Sequence, residues 1–258
     1  MFTQPNIDPI AIHLGVFSIH WYGLMYLLSF LLGWGILSYR RKTIRFTEEQ
    51  IADLVCFVAF GVILGGRIGY MIFYAWPELF RSPLSVFKIW EGGMSFHGGL
   101  IGVILALLLY ARKTKKSFFT LSDFIAPVVP LGLAAGRIGN FINDELWGRV
   151  TDVPWAMVFP ARDSHPRHPS SLYEFFLEGV VLFIILWAFS RKPKPRGAIS
   201  GLFLLGYGIF RFIIEFFREP DLSVGLIANV LSEGQLLSLP MIIAGSGFLI
   251  WAYGRKKT

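Results

Sequence analysis

The chain has 258 residues, of which 54% are hydrophobic and only 16% charged. A soluble domain is nearer a quarter charged, and here the polar residues are clustered, so the pattern is that of a polytopic membrane protein. The net charge of +7 does not indicate nucleic acid, because the basic residues lie in four short blocks that each follow a hydrophobic stretch.

Residues 1–16 carry no lysine or arginine, so the basic region of a cleavable signal is missing. The first apolar segment is expected to stay in the protein. Seven hydrophobic segments follow, at 17–38, 50–75, 93–111, 121–142, 169–190, 199–218 and 236–254. Basic blocks follow the first, third, fifth and seventh: Arg40-Arg41-Lys42 with Arg45; Arg112-Lys113 with Lys115-Lys116; Arg191-Lys192 with Lys194 and Arg196; and Arg255-Lys256-Lys257. They hold fifteen of the twenty-four Lys and Arg residues, which predicts an N-terminus outside and a C-terminus in the cytoplasm. Trp21, Tyr22, Tyr74 and Trp76 fall at the expected outer boundary. Tyr39, Tyr110, Trp187 and Tyr253 fall at the inner one.

Cys56, the single cysteine, excludes an internal disulfide and reads as a buried small hydrophobe. One outer loop, 76–92, carries Trp76-Pro77 and Trp90. The longest polar stretch, 143–168, contains Gly148, Pro154, Pro160 and Pro166. It is too short for a domain and too long for a turn. The expected architecture is an all-α integral membrane protein of seven transmembrane helices, a single polytopic domain over 1–258 with a small extracytoplasmic cap at 143–168.

Four arginines, Arg67, Arg137, Arg211 and Arg218, sit inside these apolar segments toward the outer side. Each costs about 2.5–3.5 kcal/mol to insert at a helix centre and normally marks a functional site. Gathered guanidinium groups suggest a held anion, and the most available one there is a lipid phosphate. Arg137 has Asn140 three residues on, on the same helical face, and flanking glycines. Tyr207, Arg211, Glu215 and Arg218 are spaced to share one face, and Arg211 can pair with Glu215. His97, between Gly92-Gly93 and Gly98-Gly99, can act as a general base or be a hydrogen-bonded core residue. Arg67 could join the cluster or balance acids of the cap. The other histidines have no zinc spacing, so no metal and no cofactor is expected. Walker, Rossmann and Gly-x-Ser-x-Gly motifs are absent. A transporter or flippase for an anionic lipid is an alternative, for which Asp53 and Asp123, near inner ends, would have to serve a gate.

Several stretches together resemble bacterial prolipoprotein diacylglyceryl transferases: His20 to Tyr26, Phe96 to Gly99, Gly136 to Phe141, Glu145 to Gly148, His168-Pro169-Ser170 with Leu172-Tyr173-Glu174, and Tyr207 to Asp221. Ser171 departs from the family's glutamine. The resemblance implies transfer of the diacylglyceryl group of phosphatidylglycerol to the thiol of a lipobox cysteine in a prolipoprotein signal peptide, releasing glycerol 1-phosphate at the bacterial cytoplasmic (inner) membrane. It carries substrate contact onto Tyr22, His97, Arg137, Asn140, Glu145, Gly148, Tyr207, Arg211 and Glu215. His97, Arg137 and Arg211 are the expected catalytic residues. The partners it implies are phosphatidylglycerol, the prolipoprotein and the bilayer, with no nucleic acid.

Overall fold

The structure is a computed structural model and describes residues 2–15, 17–220, 226–227 and 231–254. The basic block Arg255-Lys256-Lys257, and Asp221 at the end of the last family-like stretch, lie outside the described residues. The chain divides into two compact units, Trp34–Ser122 and a second unit formed by Met1–Gly33 with Asp123–Thr258.

Ten α-helices organise the described residues: α1 (Trp21–Arg40), α2 (Glu48–Phe73), α3 (Trp76–Arg81), α4 (Phe96–Thr114), α5 (Phe118–Ile125), α6 (Val129–Ile142), α7 (Ser170–Glu174), α8 (Leu182–Ser190), α9 (Ala198–Ile214) and α10 (Glu233–Gly254). A π-helical stretch, Phe175–Val181, joins α7 to α8. Among the described residues, five apolar helices are long enough to cross a membrane, six if the bent pair α5–α6 counts as one. Their outer faces remain apolar: Leu27, Phe60 and Ile250 are 55%, 64% and 74% exposed. So much exposed hydrocarbon side chain suits a lipid solvent, where apolar residues face out as well as in. The protein is a multi-pass helical membrane protein.

In unit Trp34–Ser122, Thr47 opens α2 with a capping box. Its hydroxyl accepts from Gln50 N at 3.2 Å, and its own N–H donates to Gln50 Oε1 at 3.0 Å. The small-residue ridge Gly61, Gly65 and Gly69 of α2 then meets Gly98 and Gly102 of α4 with no room for a side chain. A Cβ on Gly61 would lie 2.7 Å from the Gly102 carbonyl oxygen, and one on Gly69 would lie 2.6 Å from Gly98 Cα. Close backbone approach is how apolar helices associate in lipid. Gly65 and Gly69 on either side of Arg67, and Gly98 after His97, therefore serve helix packing here.

Three expectations change in this unit. Cys56 is exposed, not buried. It shares a face of α2 with exposed Phe60, Ile63 and Leu64, and a lipid-facing surface selects the same apolar residues as a core. Tyr110 is no boundary ring; it is fully buried and donates to Gln50 O at 2.6 Å. Arg67 is buried among the carbonyls of the following loop, donating to Ser85 O at 2.7 Å, to Val86 O at 3.3 Å and to Gly92 O, with Tyr70 beneath it at 5.7 Å.

In the other unit, the expected 121–142 span is broken. The helices α5 and α6 meet at 49°, because Pro127 lacks a donor N–H and Pro130 starts the new helix. Asp123 accepts from Gly197 N, Ser200 N and Ser200 Oγ at 2.7, 2.8 and 2.7 Å, capping the start of α9. Buried Ala126, Leu182, Leu186, Ile199 and Tyr207 form the core. The expected 199–218 helix stops at Ile214. Residues 217–219 pair instead with 147–149, through Arg149 N to Phe217 O at 2.8 Å and a Gly148–Arg218 bridge. Short strands β1 (Phe2–Thr3), β4 (Met157–Val158) and β5 (Pro166–Arg167) make a three-stranded sheet in the order β1-β4-β5, parallel then antiparallel. Hairpins β2 (Ile10–Leu14) with β3 (Phe17–His20), and β6 (Leu226–Ile227) with β7 (Leu231–Ser232), complete the strands.

Gly102→Val should force α2 and α4 apart, because its Cβ would strike the Gly61 carbonyl. The expected loss is about 1–3 kcal/mol, read as a lower thermal midpoint in detergent. Gly33→Ala, where a Cβ meets nothing within 4 Å, should be neutral or stabilising. Equal midpoints for Gly102→Val and the parent would refute the close-packing account.

Candidate active site

The site grows from α6, the π-helical turn and the end of α9. Gly179 of the π turn lies against Ala134 of α6, where a Cβ would come within 3.1 Å of Ala134 Cα. Arg137 is three residues beyond Ala134, on the same face of α6. The close approach at Gly179 thus brings the acids of the fifth segment within reach of Arg137. A π turn re-aims side chains at just such places.

Glu174 and Glu178 are both fully buried. Arg137 Nε lies 3.1 Å from Glu174 Oε2, and its Nη2 donates to Glu178 Oε2 at 3.4 Å. From α9, Arg211 Nη1 bonds closely to Glu174 Oε1 and stands 3.8 Å from Glu178 Oε1. Arg211 Nη2 reaches Glu215 Oε1 at 2.5 Å, and the far oxygen of Glu215 accepts from Ser232 Oγ at 2.6 Å. Arg218 Nη1 adds a third cation on Glu174 Oε1 at 3.3 Å. Among the described residues, three guanidiniums and three carboxylates therefore balance in one buried group. Tyr207 is buried in the field of Glu178, Arg137 and Arg211.

This group explains how the arginines can be inserted at all. A charge brought out of water needs a partner, and removing one partner of such a buried pair costs about 3–5 kcal/mol. The expected Arg211–Glu215 pair is present. Glu174 and Glu178 are not among the expected site residues, although their signal is in the sequence. Two acids four residues apart in an apolar span demand partners as much as arginines do.

Beside the ion group, Asn140 Nδ2 donates to Glu145 Oε2 at 2.8 Å, and Asn143 Nδ2 to Glu145 Oε1 at 3.3 Å. Glu145 follows α6 in a strained turn, with Asp144 and Leu146 at φ 56 and 61. Tyr22 of α1 lies over Gly139, whose Cβ would come within 2.7 Å of its ring. Gly136 has open space around its Cα, with nothing within 4 Å of an added Cβ. Gly148 sits where two backbones converge. It donates to His168 O at 3.0 Å, accepts from Arg167 Nη1 at 3.0 Å, and a Cβ there would meet Phe217 O at 2.8 Å.

The structure thus brings Tyr22, Arg137, Asn140, Glu145, Tyr207, Arg211 and Glu215 into one unit. Gly148 stands in the same unit, beside Arg218. His97 belongs to unit Trp34–Ser122. It occupies the second position of α4, just after the N-cap Ser95 that accepts from Gly98 N at 3.2 Å, and its ring is exposed. Among the described residues no three His, Cys, Asp or Glu side chains gather as metal ligands.

Helices fit for a membrane and a buried arginine–carboxylate group between α6, the π turn and α9 define a multi-pass membrane protein with a charged site inside one of its units. The family model for prolipoprotein diacylglyceryl transferase matches residues 9–251. The chain belongs to that family. It is 57% identical over 260 residues to the phosphatidylglycerol–prolipoprotein diacylglyceryl transferase of Pseudoalteromonas atlantica, covering 99% of this chain and 93% of the relative. It is 56% identical to the protein of that name from Coxiella burnetii, over 100% of both chains. It is also 56% identical to the one from Pseudomonas aeruginosa, over 99% and 97%.

Proposed function

We propose that this protein transfers the diacylglyceryl group of phosphatidylglycerol to the thiol of a lipobox cysteine in a prolipoprotein, with glycerol 1-phosphate leaving. The full-length identity to relatives bearing the corresponding name carries the reading. The buried guanidiniums of Arg137 and Arg211 supply its chemistry. Attack by the substrate sulfur forms a C–S bond at the glyceryl carbon and breaks the C–O bond to phosphate. Charge then builds on the phosphate, and preorganised guanidiniums in a water-poor site stabilise it. Tyr207 donates to the same group, and Asn140, Glu145 and Tyr22 shape the lipid side. The nucleophile is the substrate's thiol, so the lipid-facing position of Cys56 fits a bystander. His97 is assigned the thiol proton, since a thiolate is the reactive form.

A gate for a transporter would need free acids at the other helix ends. Asp53 is paired with Lys113 at 2.7 Å, and Asp123 caps α9. Nothing favours that reading further.

The topology belongs to the same proposal. Counting α9 as a span gives seven. Its 17 residues rise about 26 Å at 1.5 Å each, a little short of the roughly 30 Å hydrocarbon core. The ion group then sits shallow in the outer leaflet of the inner membrane, beneath the 143–168 segment as a cap.

Purified protein with phosphatidylglycerol and a lipobox peptide should release glycerol 1-phosphate. Arg137→Lys should insert and fold yet lose activity on the order of a hundredfold, because an ammonium cannot make the bidentate contact. Near-normal turnover in that variant would remove Arg137 from the chemistry.

The role of His97 is read from pH–rate profiles. His97→Gln should turn over slowly near neutrality, then partly recover as the pH rises toward the thiol value of about 8.5, where the peptide is ionised without help. Parallel profiles for parent and variant would count against the proton-accepting role.

For topology, a reporter fused after Lys257 should read as cytoplasmic and one placed in the 160–166 stretch as extracytoplasmic, following the basic blocks. Both reporters on one side would overturn the orientation.

A further inference from the structure

The ion group poses a problem that binding must solve. Arg137, Arg211 and Arg218 are already matched one for one by Glu174, Glu178 and Glu215. A phosphate anion docking against Arg137 and Arg211 would leave the group with one negative charge too many, in a place where unmatched charge is costly. Either a carboxylate must move away or one must become neutral. None has an easy exit: Glu174 and Glu178 are fully buried on the π-helical turn, and Glu215 is held from both sides.

The three carboxylates are not equally held. Glu174 touches all three guanidiniums, those of Arg137, Arg211 and Arg218. Glu215 has Arg211 at 2.5 Å and Ser232 Oγ at 2.6 Å. Glu178 has only the 3.4 Å bond from Arg137 and Arg211 at 3.8 Å, and its Oε1 has no hydrogen-bond partner among the described residues. Glu174 Oε2 also lacks hydrogen-bond geometry, but it stands 3.1 Å from Arg137 Nε. The charged and titratable groups facing Glu178 are Arg137 from α6, Arg211 and Tyr207 from α9, and Glu174 on its own segment. An incoming phosphate competes for the very two guanidiniums that hold Glu178, so Glu178 loses most.

We propose that Glu178 is the charge-compensating residue of this site: it takes up one proton when a phosphate anion docks against Arg137 and Arg211, and returns it when the anion leaves. Resting on the function proposed above, this assigns the anion as the phosphodiester of phosphatidylglycerol. Glu178 is a positioning residue, acting through the two arginines. One proton enters with the lipid and one departs with the phosphate product, so the neutral form of the group is restored at each turnover. The protonated carboxyl can then donate to a phosphate oxygen or to Glu174, filling the bond its Oε1 lacks.

The test is titration calorimetry of the full chain in detergent with dihexanoyl phosphatidylglycerol, in two buffers of different ionisation enthalpy. The parent protein should take up roughly one proton per lipid where Glu178 starts ionised, and its Kd should weaken toward tenfold per pH unit over that range. Glu178→Gln, neutral and nearly the same shape, should bind the lipid with no uptake and a flat Kd. Glu219→Gln, which neutralises a carboxylate paired with Arg167 outside the group, should keep the uptake. Dihexanoylglycerol, which lacks the phosphate, should cause none. A parent protein that binds the lipid without proton uptake overturns the proposal, whether or not the variants fold. So does unchanged uptake in Glu178→Gln, or uptake with the neutral lipid. Failure of the lipid to bind at all, with no transfer in the activity assay, would instead remove the functional reading and this inference with it.

Discussion

Three guanidinium groups removed from water must each find negative charge, and that requirement organises the unit containing the site. Glu174 answers it for all three at once, with Arg137 from α6, Arg211 from α9 and Arg218 from beyond the end of α9. No single element could satisfy this by itself. Buried pairs of this kind add little net stability compared with well-packed apolar residues. What they supply is register: α6, the π turn and α9 can sit in few other arrangements without stranding a charge. The π turn and the tight Gly179–Ala134 contact make sense as the geometry that lets Glu174 and Glu178 face the arginines together.

Much of this was legible in the sequence because lipid is an unforgiving solvent. Long apolar segments have to be helices, and the segments read from hydropathy agree with α1, α2, α4, the 170–190 helix and α10 to within about a turn. The arginines announced themselves by their cost. The parts that were hidden depend on pairing. An arginine in a span states a need without naming its partner, so Arg137 and Asn140 read as one clamp. In the fold they part, one to Glu174 and Glu178, the other to Glu145. Glycines are ambiguous for the same reason. Those around Arg67 and His97 suit another backbone as well as a ligand, and Gly65, Gly69, Gly98 and Gly102 are filled by neighbouring backbone, whereas Gly136 beside Arg137 is open. Cys56 shows the limit of reading burial in a membrane protein, where an apolar neighbourhood fits a lipid-facing residue as well as a core one. The break at Pro127 was visible as a residue but not as a 49° bend, since proline in a lipid-buried helix can be absorbed or can end it.

The early end of α9 ties the polar 143–168 segment to the ion group. A helix continued to residue 218 would have carried Arg218 on the face of Tyr207 and Arg211. Instead, residues 217–219 pair with 147–149 as extended chain, and Gly148 is the residue that lets the backbones meet. Arg167, buried in the same segment, grips Asp163 at 2.6 Å and Glu219 at 2.9 Å, next to Arg218 in the chain. The Arg167 hydrogen bond holds the Asp163 carboxyl down to about 2 from its ordinary 3.8. A lowered value means the contact is at full strength above the ordinary carboxylate range and weakens only as pH falls toward 2. Near neutral pH the clasp is therefore closed. The backbone of Arg218 is fixed by the polar segment while its side chain reaches Glu174. The order of the 143–168 segment and the electrostatics of the site are thus set by one short stretch of chain. A substrate that displaced the 143–168 segment would loosen Arg218 from Glu174 and shift the balance felt by Arg137 and Arg211. This gives Gly148 a physical reason to belong with the site.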